Sequence, residues 1–65
     1  MSTRGVDSVD VYARAVVAAE AAWRVLDASP TDENRARYDA AMDRAYAAFG
    51  KIPRGRRVEA LLRST

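Results

Sequence analysis

The four residues Ala28-Ser29-Pro30-Thr31 separate two long segments in which apolar residues recur at helical spacing. Pro30 disfavours a helical conformation in the residue before it and suits the first turn of a helix that follows it. A break this short between helices of similar length makes them antiparallel neighbours. The stretch therefore predicts a helical hairpin, with helices at about 8–28 and about 30–49.

Each segment carries one apolar stripe with spacings of three and four residues. The stripe of the first helix is Val9, Tyr12, Val16, Ala19, Trp23 and Leu26, and that of the second is Tyr38, Ala41, Met42, Ala45, Phe49 and Ile52. We expect Asp7 or Ser8 to cap the first helix and Ser29 to cap the second. Gly50 suits a left-handed cap at the end of the second helix.

An antiparallel hairpin with this link pairs residues whose numbers add up to about 58. Val9 is then expected opposite Phe49, and Val16 opposite Met42. Trp23 would lie near Arg35, which could place its guanidinium over the indole ring. The aromatic residues Tyr12, Trp23, Tyr38 and Tyr46 could form a ligand pocket or an interaction hot spot. At helical spacing we expect them instead to form the core or a dimer interface, with Tyr46 the most exposed aromatic.

The chain divides into three parts. Residues 1–7 have no periodicity and are expected to be disordered, and residues 8–50 form the hairpin. Residues 51–65 form a basic connector and a short C-terminal helix at about 56–63. Val58, Leu61 and Leu62 supply the apolar positions of that helix. No alternating strand pattern occurs, so the fold class is all-α.

A second apolar face follows the first helix and is rich in small residues. It comprises Val11, Ala15, Ala18, Ala22 and Val25. An isolated two-helix hairpin buries too little apolar surface to offset its conformational entropy, so this face needs a cover. Either the C-terminal helix or a second copy could provide it, and the favoured prediction is a homodimer that forms a four-helix bundle through these five residues.

Basic residues are concentrated at the C-terminus. Residues 51–65 have a net charge of +4, whereas residues 1–50 have a net charge of −2. Lys51, Arg54, Arg56 and Arg57 lie within seven residues, with Pro53 and two glycines expected to keep the segment extended. Such a segment could follow a phosphate backbone or enter a minor groove.

The residues Pro53-Arg54-Gly55-Arg56 resemble the core of an AT-hook, a Pro-Arg-Gly-Arg-Pro motif that binds the minor groove. The resemblance covers about five residues and implies that Arg54 and Arg56 would insert into an A·T-rich groove; Arg57 stands where the motif has its final Pro. Two other interpretations remain open. The segment could be a solvated connector that neutralises the end of the second helix, or it could bind an acidic protein.

Composition argues against catalysis and against metal or cofactor binding. The chain has no His and no Cys, so a His base, a Cys nucleophile and a Cys/His zinc site are excluded. Asp39 and Asp43 share a helical face but lack the Glu and His partners of carboxylate-bridged metal bundles. We expect no cofactor, no small-molecule ligand, no membrane span and a cytoplasmic location.

Two functions are compatible with these patterns. The first is a small non-enzymatic module for protein interaction or oligomerisation, whose partner is a second copy or another helical protein. The alternative is a nucleic-acid-binding protein that uses residues 51–57.

Overall fold

The computed structural model describes residues 7–63 of the chain, and within this range every regular element is helical. The elements are α1 (Ser8–Ala28), α2 (Asp32–Gly50), a single 3₁₀ turn (Arg54–Arg56) and α3 (Arg57–Arg63). The two long helices pack against each other as a hairpin. The all-α class, the hairpin and the short third helix are therefore confirmed.

The N-terminus of α1 is fixed by a side-chain cap. Asp7 has an extended backbone conformation, and its carboxylate accepts a hydrogen bond of 3.0 Å from the backbone N–H of Val9. Asp10 adds negative charge to the first turn, where the helix dipole favours it. The disorder predicted for residues 1–7 thus does not extend to Asp7; residues 1–6 lie outside the described range.

The N-cap of α2 is Thr31, so the prediction of Ser29 is wrong. The hydroxyl of Thr31 accepts a hydrogen bond of 3.1 Å from the N–H of Asn34. The Asn34 side chain in turn donates to the carbonyl oxygen of Ser29 at 2.8 Å. Ser29 is the C-cap of α1 and Pro30 lies in the link, so that residues 29–31 connect the two helices.

The C-terminus of α2 also differs from the prediction. Gly50 is the last helical residue, and it does not have a positive φ. The N–H groups of Lys51 and Ile52 donate to the carbonyls of Ala48 and Phe49, both at 3.1 Å. These i to i−3 bonds tighten the last turn, so the helix ends without the left-handed cap that Gly50 could have supplied.

The register of the hairpin is shifted from the predicted one. The rings of Tyr12 and Phe49 lie 5.3 Å apart, and those of Trp23 and Tyr38 lie 5.6 Å apart. The residue numbers in each pair add up to 61 rather than 58, because α2 begins at Asp32 and not at Pro30. Trp23 therefore packs against Tyr38, and its predicted pairing with Arg35 is wrong.

The core lies at the open end of the hairpin, where all three helices meet. Val9 of α1, Ile52 of the connector and Ala60 of α3 are buried together, and Tyr12 and Phe49 pack against them. Elsewhere the fully covered residues of the hairpin are the small Ala19, Ala45 and Ala48. Small side chains at these positions allow the two helices to approach closely.

The small-residue face of α1 remains accessible in the single chain. Val11 and Val25 are 40% and 49% exposed, Ala18 is exposed, and Ala15 and Ala22 are half-buried against the hairpin. The C-terminal helix packs beside Val9 instead. Of the two covers considered for this face, α3 is thus excluded, and a dimer through the face stays a prediction.

The cap assignment can be checked by mutation. We expect Thr31→Ala to lower the free energy of unfolding by about 1 kcal/mol, because the N–H of Asn34 loses its acceptor. Ser29→Ala is the matched control: it keeps the backbone carbonyl that Asn34 uses and should have a smaller effect. Urea unfolding of both variants measures the difference, and an equal or larger loss for Ser29→Ala would contradict the assignment.

Candidate functional site

An open groove runs between α1 and α2 along one face of the hairpin, with a volume of about 630 Å³. We call it the aromatic groove. It is lined by Tyr12, Val16, Ala19, Glu20, Trp23, Tyr38, Met42, Ala45, Tyr46, Phe49 and Leu61. Of these lining residues, Glu20 is the only one with a charged side chain, so the surface is almost entirely apolar.

The groove arises because small and large side chains alternate along the two helices. Ala19 and Ala45 are buried between the helices and bring them close together. The larger side chains on the same stripes are displaced to one side, where Tyr12 pairs with Phe49 and Trp23 pairs with Tyr38 in tilted geometry. The apolar stripes that predict a core therefore line the open aromatic groove.

Only one end of the aromatic groove is closed by the described part of the chain. Leu61 of α3 borders the groove at the end that holds Tyr12 and Phe49. Towards the link, Trp23 is 51% exposed, and Tyr46 on the rim is 70% exposed. Of the two places expected for Trp23, its half-exposed side chain excludes the core of the single chain. A place in a dimer interface stays a prediction.

Two ion-pair contacts hold α3 against the start of α1. The guanidinium of Arg56 donates to both carboxylate oxygens of Asp7, at 3.0 and 3.2 Å, and also to Glu59 at 3.2 Å. Arg63 pairs with Asp10. The hydrogen bonds from Arg56 and from the Val9 N–H hold the pKa of Asp7 below its ordinary value of 3.8, and the hydrogen bonds to Glu59 and Asp7 raise the pKa of Arg56.

Arg57, in the second half of the basic segment, contacts α2 and the connector within the same chain. Arg57 stacks over the Phe49 ring at 5.2 Å and donates to the carbonyl oxygen of Ile52 at 3.1 Å. Its other nitrogen reaches the carbonyl of Gly50 at 3.5 Å, at the negative end of α2. For Arg57, the structure matches the interpretation of a connector that neutralises a helix end.

Lys51 and Arg54 differ from Arg56 and Arg57. Both are exposed, and within residues 7–63 no ion pair involves either of them. The structure therefore separates the four basic residues predicted for nucleic-acid binding into two that stabilise the fold and two that face solvent. Sequence spacing alone gave no sign of this division.

The basic segment is not extended, which corrects the expectation drawn from its Pro and Gly residues. Arg54–Arg56 form a 3₁₀ turn in which the Arg56 N–H donates to the Pro53 carbonyl at 2.9 Å. The turn lets Arg56 reach Asp7 and starts α3 directly afterwards. The flat strand that an AT-hook inserts into a minor groove is absent from this segment.

The opposite side of the hairpin offers a much smaller feature. A shallow depression of about 170 Å³ lies between Ala22 and Val25 of α1 and Asn34 and Arg37 of α2. Within residues 7–63, no group of acidic side chains is arranged to hold a metal ion, and no helix has the length and apolar character of a bilayer span. The aromatic groove is therefore the most developed candidate site.

Comparison of the chain with protein families, with curated proteins and with solved structures finds no match.

The ion pair between Asp7 and Arg56 should make the stability of the fold depend on pH. The pKa of Asp7 is lower in the folded state than in the unfolded state. The charged carboxylate therefore stabilises the fold at pH values above the unfolded-state pKa, and this stabilisation is lost as the pH falls through the folded-state pKa. Asp7→Asn keeps a side chain that can cap α1 but removes the charge. We expect this variant to melt at a lower temperature than the wild type at pH 7.

The difference between the two melting temperatures should shrink as the pH falls below 3.8 and should vanish once Asp7 is protonated in the folded state as well. Thermal unfolding followed by circular dichroism across this range measures it. A melting difference that is constant from pH 7 to pH 2 would show that the charge of Asp7 does not contribute.

Proposed function

We propose that this chain is a non-enzymatic interaction module that receives the apolar face of a helix in its aromatic groove. The observation that carries the proposal is the open part of the groove, where Trp23 and Tyr38 border an apolar floor and Tyr46 stands exposed on the rim nearer to α3. Trp and Tyr are the residues that most often dominate the energy of protein interfaces. An apolar surface of this kind, exposed on a small chain, marks a contact site.

The shape of the site suits a helix better than a small molecule. The groove follows the axes of two antiparallel helices and is open along one side, so that it can hold a rod. Helix-in-groove recognition uses apolar anchors three and four residues apart on the incoming helix. The stretch from Val16 to Trp23 spans about 10 Å, which is two helical turns.

The chemistry of the groove also favours binding over catalysis. Its one ionisable carboxylate, Glu20, lies among aromatic and aliphatic side chains. A hydrolytic or transfer reaction needs a second group in contact, as a nucleophile or a proton donor. Three Tyr hydroxyls also line the groove, but within residues 7–63 no hydrogen bond joins any of them to Glu20. Glu20 is better suited to select a partner helix that carries a cation at the edge of its apolar face.

Site-specific crosslinking in the native host tests the proposal. A photoreactive phenylalanine analogue in place of Tyr46 keeps an aromatic ring on the rim of the groove. The same group at Val17, which is exposed on α1 outside the groove, is the matched control. We expect covalent protein adducts from position 46 that are much weaker or missing from position 17.

The masses of the adducts identify the partner as a second copy or as another protein. Equal labelling from the two positions, or no adduct from position 46, would contradict a docking function for the groove.

A second candidate function is weak nucleic-acid binding through the exposed cations Lys51 and Arg54. Its support is that these two residues face solvent at the end of the molecule where positive charge is concentrated. Arg56 and Arg57 are held by Asp7, Glu59 and Phe49, so we expect them to add little direct contact with phosphate.

Duplex binding measured against salt concentration tests this candidate. With two phosphate contacts, the logarithm of the binding constant should fall against the logarithm of salt with a slope of about −1.8. The double variant Lys51→Ala/Arg54→Ala should remove the binding, whereas Arg37→Ala, at an exposed cation on α2, should leave it nearly unchanged. If the wild type shows no salt-dependent binding at low ionic strength, this candidate is excluded.

A further inference from the structure

We propose that the helix received by the aromatic groove is α3 of a second copy of this chain, in a twofold dimer. In this arrangement, the α3 of each copy lies in the groove of the other copy. It covers the part of that groove that the other copy's own α3 leaves open. The inference rests on the proposed function, since it names the partner of the same site. It differs from the dimer predicted from sequence, which used the opposite, small-residue face.

The outer face of α3 has the apolar anchors that such a contact needs. Ala60 is fully buried against Val9 and Ile52. Val58 and Leu62 lie two residues on either side of Ala60, so they point away from the core of their own chain. They are 67% and 70% exposed and four residues apart, which is the spacing of one helical face.

The length of α3 matches the open part of the groove. Seven residues of helix span about 10 Å. On α1, the residues that line the groove beyond Tyr12 run from Val16 to Trp23, which is also a distance of about 10 Å. A twofold axis across the groove would place the α3 of each copy beside Trp23 and Tyr46 of the other.

The charge distribution favours this antiparallel arrangement. Residues 20–43, at the link end of the hairpin, carry six acidic and three basic residues and have a net charge of −3. Residues 7–19 and 44–63, at the end that holds α3, carry three acidic and seven basic residues and have a net charge of +4. A twofold axis across the hairpin brings the positive end of each copy to the negative end of the other, twice in each dimer.

The exposed apolar side chains supply a large part of the area that a stable dimer buries. The five large apolar side chains around the proposed contact are Trp23, Tyr46, Val58, Leu61 and Leu62, and each is about half or more exposed. Together they expose roughly 300–500 Å², taking about 150–250 Å² for a whole aromatic side chain and about 60–120 Å² for a whole Val or Leu side chain. Stable interfaces bury about 800 Å² on each partner, which the half-buried lining of the groove brings within reach.

Light scattering coupled to size exclusion tests the proposal on the full chain. We expect the wild type to elute at twice its monomer mass of 7.1 kDa, at a concentration of roughly 0.1 mM. Leu62→Glu should raise the dissociation constant on the order of a hundredfold, because it places a carboxylate against the apolar groove. Val17→Glu, at an exposed position of α1 outside the groove, should leave the dimer intact.

Val25→Glu distinguishes the two possible dimer faces. It should leave the dimer intact if the groove is the interface, and it should dissociate the dimer if the small-residue face is. Dissociation by Val25→Glu with an intact Leu62→Glu dimer would overturn the proposal. Circular dichroism of each variant checks that loss of the dimer is not loss of the helices.

Trp23 provides a readout that needs no substitution, since it is the only Trp in the chain. Its emission should shift to shorter wavelength as the concentration passes through the dissociation constant, and the midpoint should move to higher concentration in high salt. A dimer that leaves the Trp23 emission unchanged would contradict the proposal. A strict monomer would also overturn it, while crosslinked adducts from position 46 to another protein would leave the groove's docking function standing.

Discussion

The contact between Val9, Ile52 and Ala60 is the constraint on which the rest of the structure depends, because it joins three elements that have no other shared core. Along the hairpin itself, the residues buried between α1 and α2 are alanines, which pack closely but contribute little apolar area. The connector must therefore fold back so that Ile52 and Ala60 can cover Val9. The Arg56 ion pair with Asp7 fixes the direction of that return.

The position of α3 determines which apolar surface the chain leaves exposed. Because α3 packs beside Val9, it closes the Tyr12 and Phe49 end of the aromatic groove, and of its described residues only Leu61 lines the groove. The half that contains Trp23 stays open, and the outer face of α3 adds a second exposed apolar strip next to it. A groove and a strip of equal length on one molecule form a self-complementary pair, which is the requirement for a closed twofold contact.

Basic residues near the C-terminus have two different physical roles that composition cannot separate. Arg56 and Arg57 hold α3 and the end of α2 in place through carboxylates, carbonyls and an aromatic ring. Lys51 and Arg54 face solvent and add to the positive end of the molecule. Positive charge at this end and negative charge at the link end make the chain electrostatically asymmetric, which favours antiparallel association over parallel association.

The sequence by itself determined the all-α class, the ends of α1, the position of the link and the presence of a short third helix, since periodicity and Pro30 act locally. It also placed Tyr12, Trp23, Tyr38 and Phe49 on the facing stripes. Only the tertiary structure decided the register, the cap at Thr31, the 3₁₀ turn at Arg54–Arg56 and the side on which α3 packs. The register and the packing of α3 depend on contacts between residues distant in sequence, such as Asp7 with Arg56. The cap and the 3₁₀ turn are local hydrogen bonds, and for the cap the sequence offers Ser29 and Thr31 as competing residues. The same stripes that predict a core therefore form an open groove.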